Sequence, residues 1–108
     1  MIIYEVKNRN QPLLTALLNV WESSVRETPS VLSDAEVQLI KEYVPLALDG
    51  VEHLIVAENE SGEPIAFMGT DNGRLEMLFL SPVERGKGVG KQLLQYGIQN
   101  IGIWEVTV

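Results

Sequence analysis

Leu78-Phe79-Leu80-Ser81-Pro82-Val83-Glu84-Arg85-Gly86-Lys87-Gly88-Val89-Gly90-Lys91 is the stretch on which the reading of this 108-residue chain turns. An apolar, strand-like run gives way to three glycines at alternate positions, and then to a helix start. The first amides of a helix have no intrahelical acceptor and carry a partial positive charge. Glycines without Cβ let an anion approach such a backbone closely, which is the physics of phosphate cradles. Arg85, Lys87 and Lys91 can add charge-assisted contacts. The plainer reading is a glycine-rich turn that only joins a strand to a helix. Two nucleotide motifs fail here. A Walker A loop requires Gly five positions before its Gly-Lys-Ser/Thr, but Arg85 stands five before Gly90, and Gln92 follows Lys91. A G-x-G-x-x-G fingerprint fits Gly86 and Gly88 and then meets Lys91 in place of its third glycine.

Outward from this stretch, the periodicity places it between a strand and a helix. Val89, Leu93, Leu94, Ile98 and Ile101 lie on one side of a helix over 88–101. Gly102 ends that helix, and residues 103–108 (IWEVTV) are strongly β-prone. Upstream, 74–80 reads as a strand preceded by Asp71-Asn72-Gly73, a tight-turn signal. Residues 64–70 and 53–58 read as two further strands joined by the turn NESGE. Three meandering strands make an antiparallel sheet. Strand 74–80, helix 88–101 and strand 103–108 form a β-α-β unit, so its two strands are expected to be parallel with a right-handed crossover.

The N-terminal half supplies a strand over 2–6 and two helices. Asn10 and Pro12 start the first helix, over 11–26, whose stripe is Leu13, Leu14, Leu17, Leu18, Trp21 and Val25. The stretch ETPSVLSDAEVQ is a loop followed by a second start, where Ser33 and Glu36 fit a capping box. Val37, Ile40 and Val44 carry that helix to about residue 48, with Pro45 expected to kink or end it. Asp49-Gly50 closes it. The expected architecture is α+β, a single domain over 1–108. It has a mixed, mostly antiparallel sheet flanked by helices in the order β-α-α-β-β-β-α-β.

Composition narrows the chemistry. Hydrophobic residues make up 45% and charged residues 21%, a globular balance. There is no Cys and a single His, His53, so thiolate metal sites, disulfides, cysteine nucleophiles and histidine-based metal centres are not expected. The formal charge of −7 makes nucleic acid a poor partner, because that affinity is mostly phosphate neutralisation. Yet Arg85, Lys87 and Lys91 fall together, and the remaining positions carry five cations against fifteen acids. One basic spot on an acidic chain suits a small anionic ligand, and equally a solvated helix start. No apolar run reaches membrane-spanning length, and the start MIIYEVKNRN does not look like a secretory signal. The expected location is cytoplasmic.

Arg85-x-x-Gly88-x-Gly90, opening a helix after a strand that ends in Ser-Pro, resembles the acyl-CoA-binding signature Q/R-x-x-G-x-G/A of the GNAT N-acetyltransferase superfamily. Leu78 to Pro82 before the loop and Gly90-Lys91-Gln92-Leu93-Leu94 after it look like that family's fourth strand and third helix. The resemblance implies a GNAT-like fold and transfer of an acetyl group from acetyl-CoA to a primary amine of a small molecule or protein. The transfer would proceed by direct attack and without a metal. Backbone amides of residues 86–91 (Gly86, Lys87, Gly88, Val89, Gly90, Lys91) would hold the CoA pyrophosphate. Arg85 would brace the loop, and Lys87 or Lys91 would reach the phosphates. Leu78, Phe79 and Leu80 would line the pantetheine arm as an added strand would. Glu76, two positions before Leu78, is the candidate base, with a solvent-facing strand residue as the plainer reading. His53, Tyr43 and Tyr96 read as structural. The alternative function is a non-catalytic CoA-binding or interaction module.

The family continues through another helix and two strands, and that segment usually contributes the tyrosine that protonates the departing thiolate. This sequence stops at Val108, in the strand after the CoA helix. Ile103, Trp104, Val106 and Val108 would then lie on an edge strand guarded only by Glu105. Such edges pair with something, so self-association through this strand is expected.

Overall fold

Asn10 opens the first helix by chemistry typical of its residue type. Its Oδ1 accepts the Leu13 N–H at 2.9 Å, satisfying one orphan donor of the first turn. The computed structural model describes residues 1–27 and 32–106. Within it the elements run β1 (Ile2–Glu5), α1 (Gln11–Glu27), α2 (Asp34–Lys41), α3 (Val44–Gly50), β2 (His53–Glu58), β3 (Pro64–Asp71), β4 (Arg74–Leu80), α4 (Val89–Tyr96) and β5 (Glu105–Val106). Residues 28–31 of the expected loop, and the last two residues of the expected C-terminal strand, lie outside the described residues. No helix among those described is long and apolar enough to cross a membrane.

The five strands form one sheet in sequential order. β1, β2, β3 and β4 pair antiparallel with their neighbours, and β5 joins β4 in parallel, as the β-α-β reading requires. Asn72 and Gly73 take φ of 51° and 78°, the positive values that a two-residue hairpin with native twist demands. Helices cover both faces. On one side α1, α2 and α3 bury Leu14, Leu17, Val20, Trp21, Val37, Val44 and Leu48 against Leu54, Val56 and Phe67. On the other side Val89 and Leu93 of α4, together with Ile103, close over Ile55, Ala57 and Met68.

Three expectations are corrected in detail. The helix expected from Ser33 to residue 48 is two helices. The capping box at Ser33 and Glu36 is present in both directions, but α2 stops at Lys41. Pro45 lacks an N–H and would clash with the carbonyl four residues back, so it is seated in the first turn of α3, where neither matters. The helix expected over 88–101 is regular only to Tyr96. Residues 97–101 widen into a π turn closed by the Gly102 N–H on the Gly97 carbonyl at 2.9 Å. Buried Gly97 packs directly on Ile103 and Met68, a contact that a Cβ there would obstruct. The strand expected from 103 pairs only at Glu105 and Val106 among the described residues, because Ile103 turns inward and is buried.

A chain of charges ties α1 to α2. Glu22 accepts from Lys41 Nζ at 2.7 Å and from Arg26 Nε at 2.9 Å, and Arg26 reaches Asp34 at 2.8 Å. The hydrogen bond from Lys41, and then that from Arg26, hold the Glu22 carboxyl below its ordinary value of 4.5. A depressed carboxylate stabilises the fold fully above its unfolded value and loses that contribution as the pH falls through the native one. Glu22→Gln is therefore expected to lower the melting temperature at pH 7 and to shrink the further drop as pH falls below about 4.5. Thermal melts of both proteins between pH 7 and pH 3 check this.

Candidate active site

Two backbone features meet at one end of the sheet. The first is the outer edge of β4. Its inner edge pairs with β3 along its length, Ala66 opposite Leu80 through Asp71 opposite Arg74. Among the described residues its outer edge meets β5 at Arg74 with Glu105 and Leu75 with Val106. From Met77 to Leu80 that edge has no strand partner among the described residues.

The second feature is the start of α4. A short 3-10 turn at Pro82–Glu84 ends β4. Gly86 and Gly88 then take φ of 78° and 80°, a conformation that favours glycine because it is strained for side-chain-bearing residues. Gly88 is the residue preceding α4, and no side chain caps the helix. The first bond of the helix runs from the Gln92 N–H to the Gly88 carbonyl at 3.0 Å. The amides of Val89, Gly90 and Lys91 therefore have no acceptor within the helix. A Cβ built on Gly86 or Gly88 would meet no atom within 4 Å, so the loop faces open space. A group with phosphate oxygens fits this arrangement of bare backbone donors at a helix start.

The cations of the loop take different positions. Arg85 donates to the Ser24 carbonyl at 3.1 Å and lies 3.4 Å from its hydroxyl oxygen. That carbonyl lies in the last turn of α1. Arg85 thus links the end of α1 to the loop before α4, and a cation there opposes the helix dipole favourably. Lys87 is exposed, with its ammonium 3.8 Å from Glu84. Lys91 is exposed and has no ion pair among the described residues.

The strand side chains split between the two faces. Phe79 packs on the α1 side with Met77, its ring 5.6 Å from that of Phe67, while Leu78 and Leu80 pack on the α4 side. What Leu78, Phe79 and Leu80 share is the open backbone edge. Glu76 is exposed and is the extra residue of a bulge: Gly69 pairs with Met77, and Thr70 with Leu75. The simple alternation that put Glu76 on the face of Leu78 is interrupted there. Leu75 itself packs on the same side as Leu78, three residues away.

Other titratable groups are engaged elsewhere. His53 Nδ1 lies 2.6 Å from Glu5 Oε2, at the sheet end opposite the glycine loop, roughly 15 Å of strand away. Tyr4 donates to Glu58 at 2.7 Å, and burial, reinforced by that carboxylate, pushes its phenol up to about 12. Tyr43 is exposed and Tyr96 half-buried. Sequence reasoning missed the Arg85–Ser24 link and the bulge, neither of which has a local signature.

The description of the Acetyltransferase (GNAT) family matches residues 17–101, a span that includes the open edge of β4 and the glycine loop. This chain belongs to the GNAT family. Peptidyl-lysine N-acetyltransferase YjaB is 31% identical over 86 residues in Salmonella typhimurium and 33% identical over 87 in Escherichia coli. Each alignment covers 76% of this chain and 56% or 55% of the relative, so the chain spans little more than half the length of the curated relatives it matches. The solution structure of apo YjaB from Escherichia coli superposes with a TM-score of 0.76 at 29% identity, covering 92% of this chain and 66% of that one. A GNAT acetyltransferase from Brucella melitensis in complex with acetyl-CoA shares the fold, with a TM-score of 0.63 at 20% identity over 94% of this chain and 69% of its own.

Proposed function

We propose that this chain binds acetyl-CoA and passes its acetyl group to a primary amine, with the lysine side chain of a protein as acceptor. The observation that carries this reading is the continuity of the open β4 edge with the free amides at the start of α4. Pyrophosphate has the charge and size for the glycine loop, and the two amides of a pantetheine arm can pair with an unpartnered strand edge as a further strand does. The Brucella melitensis protein, of the same fold, was solved with acetyl-CoA, and the YjaB relatives are named for peptidyl-lysine.

In this proposal Gly86, Lys87, Gly88, Val89, Gly90 and Lys91 hold the pyrophosphate through their backbone, with the ammonium groups of Lys87 and Lys91 adding charge. Arg85 keeps the loop against α1. Acetyl-CoA supplies the acetyl group activated as a thioester. The edge of β4 holds the arm in line and offers a backbone N–H to the carbonyl oxygen as negative charge develops on it. The incoming amine forms a C–N bond as the C–S bond breaks and CoA leaves as thiolate. Glu76, beside the open edge, takes the amine proton directly or through water. The reaction is carried out in the cytoplasm.

Gly88→Val places a side chain in the space over the loop and strains a positive φ. It is expected to weaken acetyl-CoA binding at least tenfold by isothermal titration, while circular dichroism stays near that of the parent. Parent-like affinity would remove the loop from the binding site. Release of free CoA thiol in the presence of lysine-bearing peptides and small amines measures turnover. Acetyl-CoA binding without turnover on any amine would leave a binding module.

Glu76→Gln keeps the shape of the side chain and removes the proton acceptor. Turnover is expected to fall about a hundredfold or more with acetyl-CoA affinity nearly unchanged. Parent-like turnover would take Glu76 out of the reaction.

The proposal includes self-association through β5. Its outer edge has no partner among the described residues, and Trp104 and Val106 beside it are 71% and 45% exposed. Light scattering behind size exclusion is expected to give a dimer or larger. A clean monomer of 12.0 kDa at micromolar concentration would contradict that expectation.

A further inference from the structure

The outer side of the second and third helices carries large apolar side chains that the core does not use. Val37, Val44 and Leu48 of this segment are buried. Leu39, Tyr43 and Leu46 are 58%, 61% and 70% exposed, and Ile40 is 38% exposed. The residues between α2 and α3 stay right-handed, with Glu42 at φ −66°, ψ −26° and Tyr43 at φ −93°, ψ −19°. Positions 39, 43 and 46 are four and three apart, so one side of the helix pair presents all three. Isolated exposed leucines are ordinary, but an aligned leucine, tyrosine and leucine on a helical face is the pattern of a contact surface.

The charge around the stripe has one sign. Residues 34–52 contain Asp34, Glu36, Glu42, Asp49 and Glu52, with Lys41 as the single cation. Lys41 is occupied by Glu22 at 2.7 Å. Glu42 lies three residues after Leu39 and four before Leu46, and Asp49 lies three after Leu46, so both acids border the stripe. Two cations approach from elsewhere, Arg26, which pairs with Asp34 at 2.8 Å, and Arg9. Of these, Arg9 lies at the α3 end. It points at backbone, donating to the carbonyls of Leu48, Asp49 and Glu52 at 2.9, 2.8 and 3.1 Å. A second copy would bring the same acids to the contact, so this face disfavours self-pairing.

We infer that the outer face of α2 and α3 is a docking surface for a basic, amphipathic segment of the protein acceptor. Leucine and tyrosine would take the apolar side chains of that segment, while Glu42 and Asp49 meet its lysines. This rests on the reading that the acceptor is a protein. The position suits it: Asp34, at the start of α2, is held by Arg26 in the last turn of α1, and Arg85 of the glycine loop is bonded to Ser24 in the same region. A segment seated on α2 therefore lies across the end of α1 from the loop. Docking away from the reacting atoms would select proteins without changing the chemistry.

The test uses fluorescence anisotropy with a labelled helical peptide of lysine and leucine, beside an otherwise identical peptide with glutamate for lysine. The lysine peptide is expected to bind at least tenfold more tightly than the glutamate peptide. The double variant Leu39→Lys, Leu46→Lys should weaken its binding tenfold or more, whereas Ile98→Lys, at an exposed apolar site on the opposite helical layer, should not. Acetyl-CoA titration of each variant reports whether the fold and the proposed catalytic site are intact, and binding of the peptide is read independently of turnover. Equal binding of the two peptides, or a double variant that takes acetyl-CoA and binds the lysine peptide as the parent does, would overturn the inference. Loss of acetyl-CoA binding in the parent itself would instead contradict the proposed function. If the double variant fails to fold, Glu42→Lys with Asp49→Lys replaces it, with the same expected loss.

Discussion

Among the described residues, β4 and β5 pair in parallel at two positions, and the candidate site lies along β4 beyond them. A strand edge in water normally finds a partner or is guarded. Here Arg74 and Leu75 meet Glu105 and Val106, with Arg74 Nε 3.0 Å from Glu105 Oε2 holding the junction. Beyond it the bulge at Glu76 changes which face each side chain takes. Met77 and Phe79 enter one core, and Leu78 and Leu80 enter the other. Both cores thus grip β4, while from Met77 to Leu80 its outer edge has no strand partner among the described residues. The strand is held by half-buried side chains on both faces and by pairing along one edge, and a fixed edge is what an extended ligand needs.

The glycine loop extends this logic. A helix start is most useful to an anion when nothing of its own covers it, and α4 begins on Gly88 without a side-chain cap. The strain of two positive φ values is absorbed by glycine at no steric cost. Uncapped amides would also loosen the turn. The Arg85 guanidinium opposes that loosening by anchoring the loop to the Ser24 carbonyl at the end of α1. In this way the helix that forms one core holds in place the loop that opens the helix of the other. The GNAT family match, residues 17–101, takes in most of α1 and all of α4.

Most of the element order and the glycine turn before α4 were legible in the residues because local chemistry decides them. Asn10, the Ser33–Glu36 box, Asn72-Gly73 and the alternate glycines act within a few residues of themselves. The places where the reading departs from the structure are long-range. From Met77 to Leu80 the strand is apolar on both faces, so an extra residue at Glu76 leaves no trace in the alternation that follows it. The π turn after Tyr96 depends on how closely Gly97 approaches Met68 and Ile103, side chains from other elements. The division of the second helix turns on Pro45. Its residue type announces a break, but whether it ends one helix or starts another depends on the packing of Val44 and Leu48. The link from Arg85 to Ser24 joins residues 61 apart, and no spacing rule reaches that far.

The central claim is that backbone amides, more than side chains, form the ligand site. Amide-resolved NMR during titration with acetyl-CoA tests it most directly. The account predicts that the largest shifts fall on the amides of residues 86–91 and on the β4 edge from Met77 to Leu80, with little change at His53 and Thr70 on the far end of the sheet. Shifts that spread evenly over the surface, or that concentrate away from β4 and the start of α4, would contradict it.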